Sequence, residues 1–295
     1  MRVALLLALP IAASFAAQAD ERCASAPVVR VGFKLDEGGH MLVAGAIAGR
    51  PAWLVVDTGG IMSLIAETLV RELHLKRKAA AVAAVDAAGI AFDHHVTVPA
   101  LALGTKSLGG PHDALIMRTL GENAAAGGTL GLNVLDAYDL AIDNATRTLA
   151  LHRAGTCAPS GGTTLTMRAS RAQRAGLPVV DGTLDGAPAR VLIDTGSTAT
   201  YVDRRWAKHY FGLDARSEGV ARAGQLTTPA GTAIEAWSYI FDELTIGGLT
   251  FKNLPTLITD LPGPDVTLGQ AQLQTLNLHF AFAEGRIYVS QARAR

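Results

Sequence analysis

Aromatic residues are scarce, at 5% of 295 residues, and there are only two cysteines. Burial must therefore fall to aliphatic side chains, and with 49% apolar residues the chain has enough of them for a sizeable core. Net charge is absent as well, since 26 Lys and Arg balance 26 Asp and Glu. Such a chain offers no general attraction for nucleic acid or for an anionic membrane surface. No Gly-x-Ser-x-Gly elbow surrounds Ser63 or Ser197, which excludes the familiar serine-nucleophile turn. No phosphate- or dinucleotide-binding pattern follows Gly127-Gly128 or Gly247-Gly248, so these read as loop or hairpin glycines. His94-His95 lacks a companion Cys or carboxylate at ligand spacing, and neighbouring side chains on a strand point to opposite faces. Neither a metal nor a cofactor is expected.

Long apolar runs are missing except at the start. Met1-Arg2, the apolar stretch Val3 to Ala17 and the small-residue site Ala17-Gln18-Ala19 have the pattern of a secretory signal peptide over residues 1–19. The run is short of the ~20 residues that span a bilayer. The mature protein is expected to begin near Asp20, to be periplasmic or secreted, and to have no stable membrane insertion. The charged Asp20-Glu21-Arg22 argues against a lipid anchor on Cys23. In an oxidising compartment an even cysteine count favours a Cys23–Cys157 disulfide, with two separate buried thiols as the alternative.

Glycine, by contrast, is plentiful, with 31 residues, and it punctuates apolar segments of four to eight residues such as Trp53 to Val56 and Val191 to Ile193. This predicts an all-β chain with a few short helices, at Ala66–Leu75, Asn133–Tyr138 and Arg204–Tyr210. Trp53, Trp206 and Trp237 are expected in the core.

The chain also repeats itself. Gly45 to Gly59 aligns without gaps on Gly182 to Gly196, an offset of 137 residues that superimposes Asp57-Thr58-Gly59 on Asp194-Thr195-Gly196. Leu101 to Gly104 echoes Leu244 to Gly247, and Thr129-Leu130-Gly131 echoes Thr267-Leu268-Gly269. Two copies of this length imply a duplicated domain with pseudo-two-fold symmetry, here 20–153 and 164–295 joined by the small polar linker 154–163.

Each Asp-Thr-Gly ends an apolar strand. The Asp is placed to present a carboxylate at the base of a cleft, the Gly allows a sharp turn, and the Thr hydroxyl can reach backbone of the other loop. Two carboxylates held close together cannot both ionise readily and share a proton. One then serves as base towards a water and the other as acid towards a carbonyl oxygen.

With both loops and the later apolar-apolar-Gly segments Leu130-Gly131 and Leu268-Gly269, the sequence resembles the aspartic protease family of pepsins and retroviral proteases over nearly the whole mature chain. In that family two Asp carboxyl groups share one proton, which is the behaviour expected of the pair in this chain. The resemblance implies a bilobal acid-protease fold of two retropepsin-like β-barrel lobes, with Asp57 and Asp194 catalytic and Thr58, Gly59, Thr195, Gly196 and Ser197 supporting them. Gly60 stands where many relatives carry Ser or Thr, whereas the second loop has Ser197. Flap hairpins are expected at Ala84–Phe92, around Ala88-Gly89, and at Gly224–Thr232, around Ala230-Gly231; neither has the Tyr of a pepsin flap. The activity implied is that of an exported aspartic endopeptidase acting on an extended peptide or protein, as a monomer. Gly60 and the unusual flaps leave open a catalytically weak or inactive relative that holds peptides or another periplasmic polymer. The plainest alternative is a duplicated β-protein whose Asp-Thr-Gly turns are only structural.

Overall fold

The computed structural model describes residues 23, 26–79, 85–86, 88–118, 126–157, 159, 161–168, 176–261 and 263–292. The expected signal segment 1–19 and the expected start at Asp20 lie outside the described residues, as do Ala84 and Ala87 of the first flap candidate. The chain is mostly β and is built from two repeated lobes on a shared sheet.

In the second lobe six strands close a barrel. Val179–Leu184, Ala187–Ile193, Val266–Leu268, Tyr201–Asp203, Leu249–Thr259 and Ala233–Ile246 lie side by side, and the last returns to the first through Gly182↔Ile246 and Leu184↔Leu244. The first lobe follows the same course through Met41–Ile47, Arg50–Val56, Ala126–Leu130, Ser63–Ala66, His112–Met117 and His94–Val98. There, the return to Met41–Ile47 is made by the short strand Leu101–Leu103. The long strand Ala233–Ile246 is thus represented in the first lobe by two pieces flanking Pro99-Ala100. Proline has no N–H for the ladder, which accounts for the break.

The two apolar runs preceding Asp57 and Asp194 are central strands. Each pairs parallel with a partner, Val56 opposite Leu130 and Ile193 opposite Leu268, and Leu54 to Val56 are essentially inaccessible. Burial on both faces explains why these segments are continuously apolar instead of alternating.

A third layer joins the lobes. Its strands run in the order Thr163–Thr166, Arg286–Gln291, Leu276–Ala281, Tyr138–Asp143, Thr148–Arg153, Val29–Leu35. Residues 154–163, expected as a linker, are a connection only in part, because Thr163 already belongs to the edge strand of this layer, pairing with Val289. The Cys23–Cys157 disulfide ties the N-terminal segment to the end of Thr148–Arg153. Nearby, Asp139 is fully buried, with the amides of Gly155, Thr156 and Cys157 lowering its pKa less than burial raises it.

The first two helices are shorter than expected, and the third begins where expected and runs one residue further. The first covers Glu67–Glu72 and the second Leu132–Leu135, because Tyr138 already begins a strand. The third, Arg204–Phe211, is capped by Asp203, whose side chain accepts from the Trp206 amide at 2.9 Å, and is stopped by Gly212 in the left-handed conformation. Of the tryptophans only Trp206 is buried. Trp53 and Trp237 are half-buried, shielded by Lys34 at 4.1 Å and Arg204 at 5.4 Å from the ring centres, which corrects their expected core placement. Among the described residues no helix is long and apolar enough to cross a membrane.

The disulfide joins residues 134 positions apart. Replacing both cysteines with serine is expected to lower unfolding free energy by about 2–4 kcal/mol, measured by denaturant titration with and without reductant. An unchanged midpoint would show that the bond constrains little.

Candidate active site

Both Asp-Thr-Gly loops leave their strands at the join between the lobes, and the same connections hold each one. The amide of Asp57 donates to the Leu130 carbonyl and that of Asp194 to the Leu268 carbonyl, both at 3.0 Å. Further along, Leu132 N donates to Gly60 O and Gln270 N to Ser197 O, both at 2.8 Å. The apolar-apolar-Gly segments therefore brace the loops from behind. A Cβ at Gly131 would lie 2.6 Å from the Met62 backbone, and one at Gly269 would lie 2.1 Å from the Ala199 carbonyl oxygen. Glycine is required there for close approach of backbone.

The threonines lock the lobes reciprocally. Thr58 Oγ1 donates to Ile193 O and Thr195 Oγ1 to Val56 O, each at 2.7 Å. In return the Thr58 amide donates to Thr195 Oγ1 at 3.2 Å, and the Thr195 amide to Thr58 Oγ1 at 3.1 Å. Both residues are wholly inaccessible. This arrangement forces each carboxylate against the other lobe's glycine. A Cβ at Gly59 would fall 2.4 Å from Asp194 Oδ2, and one at Gly196 would fall 2.5 Å from Asp57 Oδ1.

The two carboxylates are not equivalent. Asp194 Oδ1 accepts from the amides of Gly196 at 2.8 Å and Ser197 at 3.2 Å, and Oδ2 accepts from Ser197 Oγ at 2.6 Å. For Asp57 the amides of Gly60 and Gly59 act to lower its pKa. Burial and the negative charge of Asp194 hold Asp57 well above the ordinary carboxylate range. Burial raises Asp194 too, against the opposing pull of Ser197 and the loop amides. The Ser197 hydroxyl, which has no counterpart at Gly60, favours the anion at Asp194. A Cβ at Gly60 would sit 2.5 Å from Asp57 Oδ2, so a side chain there would require the carboxylate to shift.

Several supporting residues carry no motif that marks them in the sequence. Ser63 is buried, accepts from Gly131 N at 3.0 Å and donates to Asn133 Oδ1 at 2.8 Å. Thr200 does the same in the other lobe, accepting from Gly269 N at 3.3 Å and donating to Gln272. Aligning the repeat beyond the Asp-Thr-Gly loops pairs these two hydroxyls and would have revealed them. Tyr201, whose hydroxyl meets Thr198, lies close enough for the Asp194 charge to help burial raise its pKa.

Both flap candidates contain turns. In the first, Val85 bridges Ala91, Asp86 Oδ1 accepts from the amides of Ala88 and Ile90, and Gly89 has φ +80°. In the second, Ala221–Thr227 and Ala233–Ile246 form a hairpin whose tip crosses to the first lobe. Arg118 N donates to Pro229 O at 3.0 Å, Ala230 packs on the cluster of Leu64, Phe92, Leu115 and Met117, and Gly231 abuts the Arg118 side chain. His94 is exposed and His95 half-buried. Among the described residues, donors with metal-ligand spacing occur at Cys23, His152 and Cys157, where the disulfide occupies both sulfurs.

A bilobal β-fold with a carboxylate pair at its pseudo-two-fold axis defines the acid-protease class. The family model for aspartyl proteases matches the chain twice, over residues 43–134 and 180–271, and so covers more than half of it. The chain belongs to the aspartyl protease family. No curated protein matches it by sequence.

Thr195→Val is expected to cost about 1–3 kcal/mol, because it leaves the buried Val56 carbonyl and Thr58 amide without a partner. Thermal unfolding reads this directly, and a melting temperature equal to wild type would contradict the lock. A second expectation concerns pH. Because the folded pKa of Asp57 is raised, the fold binds more protons than the unfolded chain above pH ~4, and stability falls as pH rises through that window. Asp57→Asn should therefore stabilise the protein at neutral pH and lose this advantage below pH ~4, as measured by melting temperature across pH.

Proposed function

We propose that the protein is an exported aspartic endopeptidase that hydrolyses peptide bonds through a water activated by Asp57 and Asp194. The observation that carries this reading is the juxtaposition of two carboxylates across the threonine lock, with unequal hydrogen bonding. A pair arranged to hold one proton needs no metal or cofactor for acyl transfer to water.

In the proposed step a water sits between the carboxyl groups. Asp194, the anion, removes a proton from it as its oxygen attacks the scissile carbonyl carbon, while Asp57 delivers its proton to the carbonyl oxygen. The resulting gem-diol collapses as the amide nitrogen takes up a proton from the newly protonated Asp194, and the peptide bond breaks. The proton returned by a hydroxyl of the collapsing gem-diol restores Asp57.

The hairpin Ala221–Ile246, whose tip reaches Arg118, serves as a cover for an extended peptide substrate, with the turn at Ala88-Gly89 as its smaller counterpart. In this reading the tip, seated through Ala230, opens and closes with substrate. Export to the periplasm or the medium is supported by the N-terminal charge and apolar run together with the disulfide. Both carboxylates come from one chain, so a monomer suffices.

Absence of a hydroxyl at Gly60 motivates the binding-only alternative, and peptide turnover separates the two readings. Asp57→Asn and Asp194→Asn are each expected to reduce cleavage of a diverse peptide pool at acidic to neutral pH by at least about a thousandfold, with the fold retained. Products would be read by mass spectrometry. Full activity in either variant overturns the mechanism, and a wild-type protein that binds peptides without cleaving any replaces it with the binding reading.

A further inference from the structure

Gln270 differs from everything around it. It is 4% exposed, and it follows Gly269 in the segment that braces the second loop. Its equivalent in the first lobe is Leu132, which is 2% exposed and carries no polar group. Nε2 of Gln270 donates to the Thr195 carbonyl oxygen at 3.2 Å, and among the described residues no donor reaches its Oε1. Burying an amide with one unsatisfied oxygen is costly, and a leucine of similar size, accepted in the first lobe, avoids the cost. Packing alone gives no reason for glutamine.

The bonding partner supplies one. Thr195 C=O belongs to the peptide group whose N–H is that of Gly196, and this N–H donates to Asp194 Oδ1 at 2.8 Å. A donor on the carbonyl polarises the peptide group and strengthens its N–H as a donor, so the two hydrogen bonds reinforce one another. Gln270, the Thr195–Gly196 peptide and the Asp194 carboxylate thus form a short chain of aligned dipoles ending on an anion. The corresponding chain in the first lobe cannot start, because Leu132 has nothing to donate. The titratable groups facing Asp194 are Asp57 from the opposite loop and Tyr201 from the following strand, and neither supplies a positive charge to do this instead.

We propose that Gln270 is a positioning residue which, through the Thr195–Gly196 peptide, keeps the negative charge on Asp194 and the shared proton on Asp57. This deepens the dyad reading and rests on it. Removing the donor makes the two carboxyl groups more alike. The group that must be ionised to accept a proton from water then ionises less readily.

The test compares wild type with Gln270→Met, which keeps length and shape but has no donor, and with Gln270→Glu, whose buried carboxyl is protonated in acid and donates through O–H. Carbon-13 NMR titration of the aspartate carboxyls reads the pair without reference to activity. The lower apparent pKa of the pair should rise by on the order of half a unit in Gln270→Met and recover in Gln270→Glu at acidic pH. With peptide substrate, the acid limb of the rate profile should move up by the same amount, and kcat should fall roughly threefold at the acid side with KM unchanged. A folded Gln270→Met variant with wild-type titration overturns the proposal. If that variant does not fold, Gln270→Leu, the residue type used in the first lobe, takes its place in the same titration. If wild type cleaves nothing, the enzymatic reading fails while the carboxyl titration still decides the role of Gln270.

Discussion

The structure hangs on two hydroxyl groups. Thr58 and Thr195 each donate to the strand carbonyl of the opposite lobe and accept that lobe's loop amide, in a site without water access. Four buried backbone groups are satisfied only if both lobes are present and in register, so the lock aligns the lobes as well as joining them. Its narrowness forces Gly59 and Gly196 against the carboxylates, and that contact excludes any side chain at either position. The crowding of the carboxyl pair follows from this geometry.

Upon that symmetric frame the chain places asymmetric details. Ser197 and Gln270 serve the second loop, whereas Gly60 and Leu132 stand at the equivalent places in the first. The long hairpin of the second lobe uses strands of seven and fourteen residues, while the first lobe breaks its counterpart at Pro99. In the proposed reaction these differences give the two lobes distinct tasks: the second supplies the anion and the reach, and the first supplies the proton and the apolar seat for the hairpin tip.

Much of this is legible from residues alone. A gap-free repeat of strand-Asp-Thr-Gly is local, and local patterns survive reading in one dimension; the two loops come from that, the all-β class from short apolar segments set between glycines, and the pairing of Cys23 with Cys157 from an even cysteine count. Helix ends are less legible, since Asn133–Tyr138 has the pattern of one helix while tertiary pairing claims Tyr138 for a strand. Trp53 and Trp237 mislead because a ring covered by a cation looks, in sequence, like any buried ring. Ser63, Thr200 and Gln270 escape notice for a different reason. Their partners lie roughly 70 residues away; the repeat pairs Ser63 with Thr200, but Gln270 is paired with a leucine and so carries no signal of its own.

The sheet joining the lobes holds one further consequence. Tyr138–Asp143 and Leu276–Ala281 run antiparallel, with Ala141 directly opposite His279, and the repeat makes those two residues equivalent. The pairing is therefore centred on the symmetry axis, and two separate copies of a half-length chain could make it with themselves. A self-associating ancestor of that kind would be bound to identical halves, because every change appears twice around the axis. Covalent duplication releases that restraint, and each half becomes free to accumulate substitutions that would be ruinous if mirrored.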